Sequence, residues 1–485
     1  MSEPALLAPV RFGTDGWRAV IAEDFTFANV ERVAQAYASY LLLEQQAQRT
    51  AEPHGLDSSL VVVGYDRRFL SAQFAARAAE VLAGNGLHPA LFGEPVPTPL
   101  VSWATHRQGA AGGVVITASH NPPAFNGFKI KAPWGGSASP ETTSAVEALV
   151  DAGPPRRREI EHLDEHGVLL ASIESYRAQV SSYVDLERLR RAQLQIVIDP
   201  MHGSGGRWVE SFLREGALKV ETIRANHDPL FGGVNPEPID QNLGLLKQRV
   251  REIGASIGLA TDGDADRLGA VNEQGSTMTM HEVVPLVLLH LARQRGMTGG
   301  VVRTFSQSVL TKRIAAAHNL PLYETPIGFK YIAELMLRED ILLGAEESGG
   351  IGVRGHIPER DGILNCLLLL ETIVASGKTP SQLVRDMHRE FGEFHFGRRD
   401  IHMEVARGQE MVAALAAAPP ARVNSDPVSG VETMDGTKLL FTDESWLLFR
   451  QSGTEPMLRI YAEATAPAKT QGLLEEGERI ARAFP

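Results

Sequence analysis

The sequence predicts an α/β protein of several domains, and two observations carry that reading. The first is order. Apolar, β-branched runs lead three times through a Gly/Asp/Arg loop into a helix-like segment: "LVVVGYDRRFLSAQFAARAAEVLAGNG" from Leu60, "LQIVIDPMHGSGGRWVESFLREG" from Leu194 and, more loosely, "GVVRTFSQSVLTKRIAAAHN" from Gly300. The three stretches share that order rather than sequence identity, so three related α/β domains are expected from a weak repeat. The second is size: at 485 residues the chain has material for roughly three or four domains.

In chain order, Ser71 is expected to cap the first helix, and Gly84 to Gly86 to end it. Val114, Val115 and Ile116 read as a strand, and Pro122 and Pro123 forbid its simple continuation, which leaves Ser119 on a shaped loop at a strand's end. Residues 152–166, rich in Pro, Arg and charge, read as a linker before a helix near residues 173–189. A further break is expected near residues 394–400. After it "ALAAAPPARVNSDPVSG" reads as loop-rich and residues 470–484 as helix, forming a small fourth domain.

Composition excludes several classes of function. With 43% hydrophobic and 22% charged residues the chain can fill several cores. A net charge of -12 gives no whole-protein attraction to nucleic acid or to an anionic membrane, so an anionic ligand must be held by local basic groups. The single cysteine, Cys366, excludes an internal disulfide and lies in an apolar helix-like run, where a buried structural thiol is expected. No signal-peptide pattern or membrane-length apolar run is present, so the expected location is cytoplasmic.

Four clusters and one N-terminal turn carry the chemistry. "VVITASHNPPAFNGFKI" presents Ser119 and His120; turn-forming side chains explain it as readily as catalysis, and the G-x-S-x-G elbow of a hydrolase is absent. "GLATDGDADRLGAVNEQG" sets Asp262, Asp264 and Asp266 at alternate positions, where their repulsion calls for a cation. Oxygen donors without His or Cys suit Mg²⁺ or Ca²⁺. An EF-hand would use Glu273 at its twelfth position, but Arg267 stands at the sixth, where its turn needs Gly, and the flanks read as strands. Mg²⁺ is therefore expected over a solvated acidic turn. "LLFRQSGTEPMLRIYAEA" joins Arg450, Ser452, Gly453, Thr454 and Arg459, hydroxyls and guanidiniums around a Gly turn that suit a phosphate dianion. "RFGTDGWRAV" adds Gly13, Thr14 and Arg18, as a phosphate site or a structural turn. "LLGAEESGGIGVRGHIPERDGI" places Glu346, Glu347 and Ser348 in a Gly-rich loop able to bond sugar hydroxyls, or solvated, with His356 and Arg360 beyond.

As a set, "TASHNP" with "NGFKI", "DGDADR", "GAEESGG" and "RQSGTEP" resembles the α-D-phosphohexomutases, the phosphoglucomutases and phosphomannomutases, over nearly the whole chain. The resemblance implies three α/β domains with mixed sheets plus a smaller C-terminal α+β domain around a central cleft. They are expected at residues 1–170 with a phosphoserine loop, 171–277 with a metal loop, 278–394 with a sugar loop and 395–485 with a phosphate cradle. It implies that Ser119 carries a transferable phosphoryl group, that hexose phosphates are the small-molecule partners, and that glucose 1,6-bisphosphate is intermediate and activator. Mg²⁺ would be held by Asp262, Asp264, Asp266 and Ser119. His120 and Arg267 would add positive or donor groups. Lys129 would move the hydroxyl proton, with His356 a second candidate. Substrate contacts would come from Thr14, Arg18, Gly328, Lys330, Glu346, Ser348, Arg450, Ser452, Gly453, Thr454 and Arg459. Some members end the sugar loop with "SGH", whereas Gly350 follows Ser348-Gly349 here; the "EES" and "HIPERDG" spellings lean towards glucose. Mannose or glucosamine phosphates are the alternatives by the same mechanism. A metal-dependent phosphatase would have no use for the second cradle, and a mere binding protein none for Ser119 and the aspartates. The sequence assigns no oligomeric state.

Overall fold

The computed structural model describes residues 9–13, 16–51, 59–160, 167–453 and 456–484. They form two compact units: Met1–Thr277 with Gly350–Ala375, and Met278–Gly349 with Ser376–Pro485.

The first unit contains two sheets. One has the order Phe12–Gly13, Gly16–Val20, Phe125–Lys131, Gly112–Ile116, Leu60–Tyr65, His88–Leu91. Its last three strands are mutually parallel, and Phe125–Lys131 runs antiparallel to Gly112–Ile116. The other has the neighbours Leu268–Asn272, Ile257–Thr261, Gln195–Asp199 and Lys219–Thr222, again with three parallel strands and one antiparallel. In the second unit Leu322–Thr325, Gly300–Thr304 and Ile341–Ala345 repeat the parallel part in the same order.

The central parallel strands are covered on both faces, which is why they read as unbroken apolar runs: every residue of Gly112–Ile116, Ile257–Thr261 and Gly300–Thr304 is buried. In each repeat the turn after the third strand carries one of the polar clusters: Ser119 after Gly112–Ile116, Asp262 to Arg267 after Ile257–Thr261, and Glu346 to Gly349 after Ile341–Ala345.

The fourth sheet is antiparallel throughout, in the order His395–His402, Met457–Ala464, Trp446–Gln451, Thr437–Phe441, Asp426–Glu432, Arg422–Val423. Its period of two puts Leu458, Ile460, Ala462 and Ala464 in the core. Arg459, Tyr461 and Glu463 therefore share the opposite face.

Two local expectations need correcting and two need qualifying. Ser71 is the first residue of the helix Ser71–Gly84 rather than its cap; its hydroxyl donates instead to Asp66 Oδ1 at 2.8 Å. Residues 394–400, expected as a break, run into the strand His395–His402, whose alternation is blurred because Arg399 stands on the core-side face opposite Ile460. The loop-rich reading of "ALAAAPPARVNSDPVSG" misses the end of the helix Val405–Ala417 and the strand Asp426–Glu432. The linker is described only to residue 160; residues 161–166 lie outside the described residues.

Cys366 is buried on the helix Gly362–Ser376, of which residues 362–373 are all buried, so it is a core thiol, with burial pushing its pKa up. Among the described residues no single helix is long and apolar enough to cross a membrane.

Candidate active site

Ser119 is 1% exposed and has φ +52°, a left-handed conformation that costs a non-glycine residue about 1–3 kcal/mol and persists only where neighbours enforce it. The enforcing group is Arg68. Its guanidinium donates to four carbonyl oxygens of the loop, those of Ser119 at 2.7 Å, Asn121 at 2.6 Å, Pro122 at 2.8 Å and Phe125 at 3.0 Å. Asp66, 3.2 Å away, balances the buried charge and also accepts from Thr117 Oγ1 at 2.6 Å. Thr117 Oγ1 in turn accepts from Ser119 N at 2.9 Å. Arg18 closes the rim, donating to Asn121 Oδ1 at 2.7 Å. Neither Asp66 nor Arg68 was singled out from the sequence; the available signal was a carboxylate and a guanidinium two residues apart between a buried strand and a helix.

So held, the Ser119 hydroxyl donates to Asp262 Oδ2 at 2.9 Å. Asp262, Asp264 and Asp266 are fully buried, with candidate ligand oxygens within 4.8 Å of one another. The fit is close: a Cβ on Gly263 would stand 2.4 Å from the Ser119 carbonyl oxygen, so only glycine lets the two loops touch. Asp264 Oδ2 accepts from Lys129 Nζ at 3.0 Å and Thr98 Oγ1 at 2.8 Å, and Asp266 Oδ2 from Arg360 at 2.8 Å. Asp264 Oδ1 and Asp266 Oδ1 are buried without a hydrogen-bond partner. Two unpartnered carboxylate oxygens in an all-oxygen cluster fit a hard divalent cation.

The electrostatics agree. Burial, then the charges of Asp266 and Asp264, push the Asp262 pKa well up. Burial alone would raise Asp264 as well, but the Lys129 ammonium and the Thr98 hydroxyl outweigh it and hold that carboxyl low. Burial opposes the charge on Arg267, yet Asp262 and Asp266 keep its pKa raised. His120 Nδ1 lies 3.3 Å from Ser119 Oγ. Burial first, then Arg267, Arg18, Lys129 and Arg360, hold its pKa well below the usual histidine value. The ring is therefore neutral, so of the two expected roles, positive charge or donor, the second is left to it among four cations.

His356 is placed differently from its expected role. Its Nε2 is 2.9 Å from Asp361 Oδ2, which also accepts from Tyr176 at 2.9 Å, and its ring stacks on Trp103 at 5.6 Å. That is the setting of a packed side chain. The same segment supplies Arg360 to Asp266, and Glu359 to Lys131 at 2.7 Å; Arg360 is a site residue whose role the sequence did not show.

The second unit carries the other group. Glu346 is buried, Glu347 accepts from Ser306 at 2.7 Å, and Ser348 lies between them and Gly349 in the turn. Gly328, at φ +139°, starts the helix Phe329–Arg338 that bears Lys330. Arg450 and Arg459 are direct cross-strand partners, and Ser452 N donates to Met457 O at 2.9 Å to form the turn around Gly453. Thr14 and Thr454 lie outside the described residues.

A strained serine aimed into a buried carboxylate cluster, with guanidiniums around it, has the make-up a phosphoryl-transfer centre needs, on a repeated α/β scaffold. Comparison with known proteins narrows the class. Four sequence families match: phosphoglucomutase/phosphomannomutase alpha/beta/alpha domain I over residues 9–157, domain II over 174–275, domain III over 280–391 and the C-terminal domain over 401–480. A phosphoglucomutase/phosphomannomutase of Thermococcus kodakarensis is 31% identical, covering 97% of this chain and 98% of its own. A phosphoglucosamine mutase of Frankia casuarinae is 29% identical, covering 97% and 98%. The crystal structure of a "putative phosphomannomutase" from Thermus thermophilus superposes with a TM-score of 0.85 at 36% identity, covering 99% and 100%. The chain belongs to the phosphoglucomutase/phosphomannomutase family. It is a phosphohexomutase, an intramolecular phosphotransferase that acts as an isomerase.

Proposed function

We propose that the chain interconverts glucose 1-phosphate and glucose 6-phosphate by passing a phosphoryl group to and from Ser119. The observation that carries this reading is the buried Ser119 hydroxyl, 2.9 Å from Asp262 inside the three-carboxylate cluster. Phosphorylated Ser119 gives its phosphoryl to the free hydroxyl of the sugar monophosphate: the P–O bond to serine breaks as one to the sugar oxygen forms, and the hydroxyl proton passes to Lys129 in its neutral amine form, giving the ammonium that pairs with Asp264. The resulting 1,6-bisphosphate turns over and returns its other phosphoryl to Ser119. Arg18, Arg267 and Arg360 face the charge in transit without reorganising. Mg²⁺, held by Asp262, Asp264, Asp266 and Ser119, supplies when bound fixed positive charge for the phosphoryl.

In the second unit Arg450, Ser452, Gly453, Thr454 and Arg459 cradle the phosphate that is not reacting. Gly328, Lys330, Glu346 and Ser348 read the sugar, and Thr14 and Arg18 are further substrate contacts. Turning the hexose over exchanges its ends, so Glu346 and Ser348 meet hydroxyls near the middle of the ring and read C2 loosely.

Glucose is favoured by the Glu346-Glu347-Ser348 spelling followed by Gly350. Mannose and glucosamine phosphates remain the second reading, because the relatives carry those names. One preparation assayed for kcat/KM on glucose, mannose, galactose and glucosamine 1-phosphates decides between them. Mannose is expected about 10- to 200-fold below glucose, the range of a modest pocket difference. Preference for glucosamine or mannose overturns the choice of glucose; preference for galactose over mannose overturns the assignment of the loop to the middle of the ring.

A further inference from the structure

Asp435 stands where two ligand-facing segments of the second unit meet. It ends the turn between the strands Asp426–Glu432 and Thr437–Phe441, and Gly436 after it has φ +102°. A Cβ on Gly436 would lie 2.3 Å from the Phe449 carbonyl oxygen and 3.2 Å from Arg450 Cα. Only glycine lets the turn lie flat on the strand that carries Arg450. That approach puts Asp435 Oδ2 3.0 Å from Arg450 Nε. The same oxygen accepts from Ile327 N at 2.8 Å. Ile327 directly precedes Gly328, and Lys330 lies on the first turn of the helix that follows.

A carboxylate beside a phosphate-binding arginine has two opposed effects. Its charge repels a phosphate dianion, which weakens binding. Its ion-pair contact with Nε, whose N–H makes no hydrogen bond, holds the guanidinium in place by charge and leaves its terminal N–H groups for the ligand, which strengthens binding. The register adds a reason for the carboxylate to be there: Arg450 is directly opposite Arg459, and like charges in that relation are unfavourable until an anion arrives. The backbone bond from Ile327 ties a second segment to the same oxygen, so the two segments order together.

We infer that Asp435 is a positioning residue, aiming Arg450 at the non-reacting phosphate and fixing the Gly328–Lys330 segment to it. The inference rests on the proposed place of Arg450 in the phosphate cradle. The two effects predict opposite signs, which makes the full-length variants Asp435→Asn, Asp435→Glu, Arg450→Ala and the Asp435→Asn/Arg450→Ala double variant informative. KM and kcat for glucose 1-phosphate are measured with melting temperature as the folding control. Asp435→Asn is expected to raise KM about tenfold with kcat within about twofold, because misaimed donors cost binding rather than chemistry. Asp435→Glu restores part of the loss. In the Arg450→Ala background the asparagine adds little, since the guanidinium it positioned is gone.

A lowered KM in Asp435→Asn shows that repulsion dominates and overturns the inference. So does an unchanged KM, with or without a lower melting temperature, or an additive double variant. If Arg450→Ala itself leaves KM unchanged, the cradle assignment falls first. If Arg450→Ala raises KM and Asp435→Asn does not, the cradle stands and the role of Asp435 alone is refuted.

Discussion

Ser119 owes its position to a guanidinium fifty-one residues upstream in sequence, which holds the loop by its carbonyl oxygens rather than by any side chain. Arginine suits this because its fork presents several donors in one plane, whereas lysine is a point charge. Removing Arg68 leaves Asp66 buried without its counter-charge and four carbonyls short of a donor. Arg68→Ala is expected to lose about 3–5 kcal/mol of stability, as breaking a buried pair from one side does. Denaturant unfolding measures this; a loss under about 1 kcal/mol would show that the loop is held by something else. Ser119→Ala is the complementary case, since it removes the hydroxyl and leaves the clamp. Turnover is expected to fall at least about 10³-fold with the melting temperature hardly changed, and phosphate on the protein, seen by intact mass, should vanish. Near-normal turnover in that variant excludes a phosphoserine.

The three α/β repeats place their polar clusters at one topological position, the turn after the third strand. The strands preceding these turns were legible in sequence because burial on both faces makes them apolar throughout, as in Val114, Val115 and Ile116. The clusters were legible because three alternating carboxylates, or a serine before two prolines, break that pattern abruptly. The fourth sheet was harder to read: His395–His402 carries Arg399 on its core-side face, and its pairing with Met457–Ala464 joins residues far apart in the chain. Likewise Arg68, Arg360 and Asp435 act through contacts at long sequence separation, which no local pattern displays. Where two loops meet, a single methyl group decides the geometry. Gly263→Ala would drive its Cβ into the Ser119 carbonyl, 2.4 Å away. Folding is expected to survive, because only loop backbone must shift. Activity is expected to fall about 10²-fold, the scale of a displacement of about 1 Å between reacting groups. Thermal unfolding beside turnover separates the two, and an active Gly263→Ala enzyme would show that the loops have slack.

At the scale of the molecule, the proposed roles divide between the two compact units. Ser119, Lys129, the three aspartates, Arg18, Arg267 and Arg360 all belong to the first, while Glu346, Ser348, Lys330, Arg450 and Arg459 belong to the second. A chain of net charge -12 attracts no anion as a whole, so the sugar phosphate must be drawn by these local cations, over distances that salt screens. The division predicts how variants partition. Asp264→Asn keeps the side-chain volume but removes a carboxylate from the cation site, so it is expected to lower kcat at least about 10²-fold and to weaken Mg²⁺ binding measured by calorimetry. In the proposed cradle, Arg450→Ala removes a donor to the phosphate that stays put through the reaction, an interaction equal in ground and transition states, so it should raise KM with kcat nearly constant. Rising ionic strength should act like the second variant and not the first, since it screens partly exposed guanidiniums more than a buried carboxylate cluster. Steady-state kinetics of both variants across a salt series tests the division. If Arg450→Ala lowers kcat as far as Asp264→Asn does, the phosphate cradle takes part in the chemical step, and the two units do not divide binding from transfer.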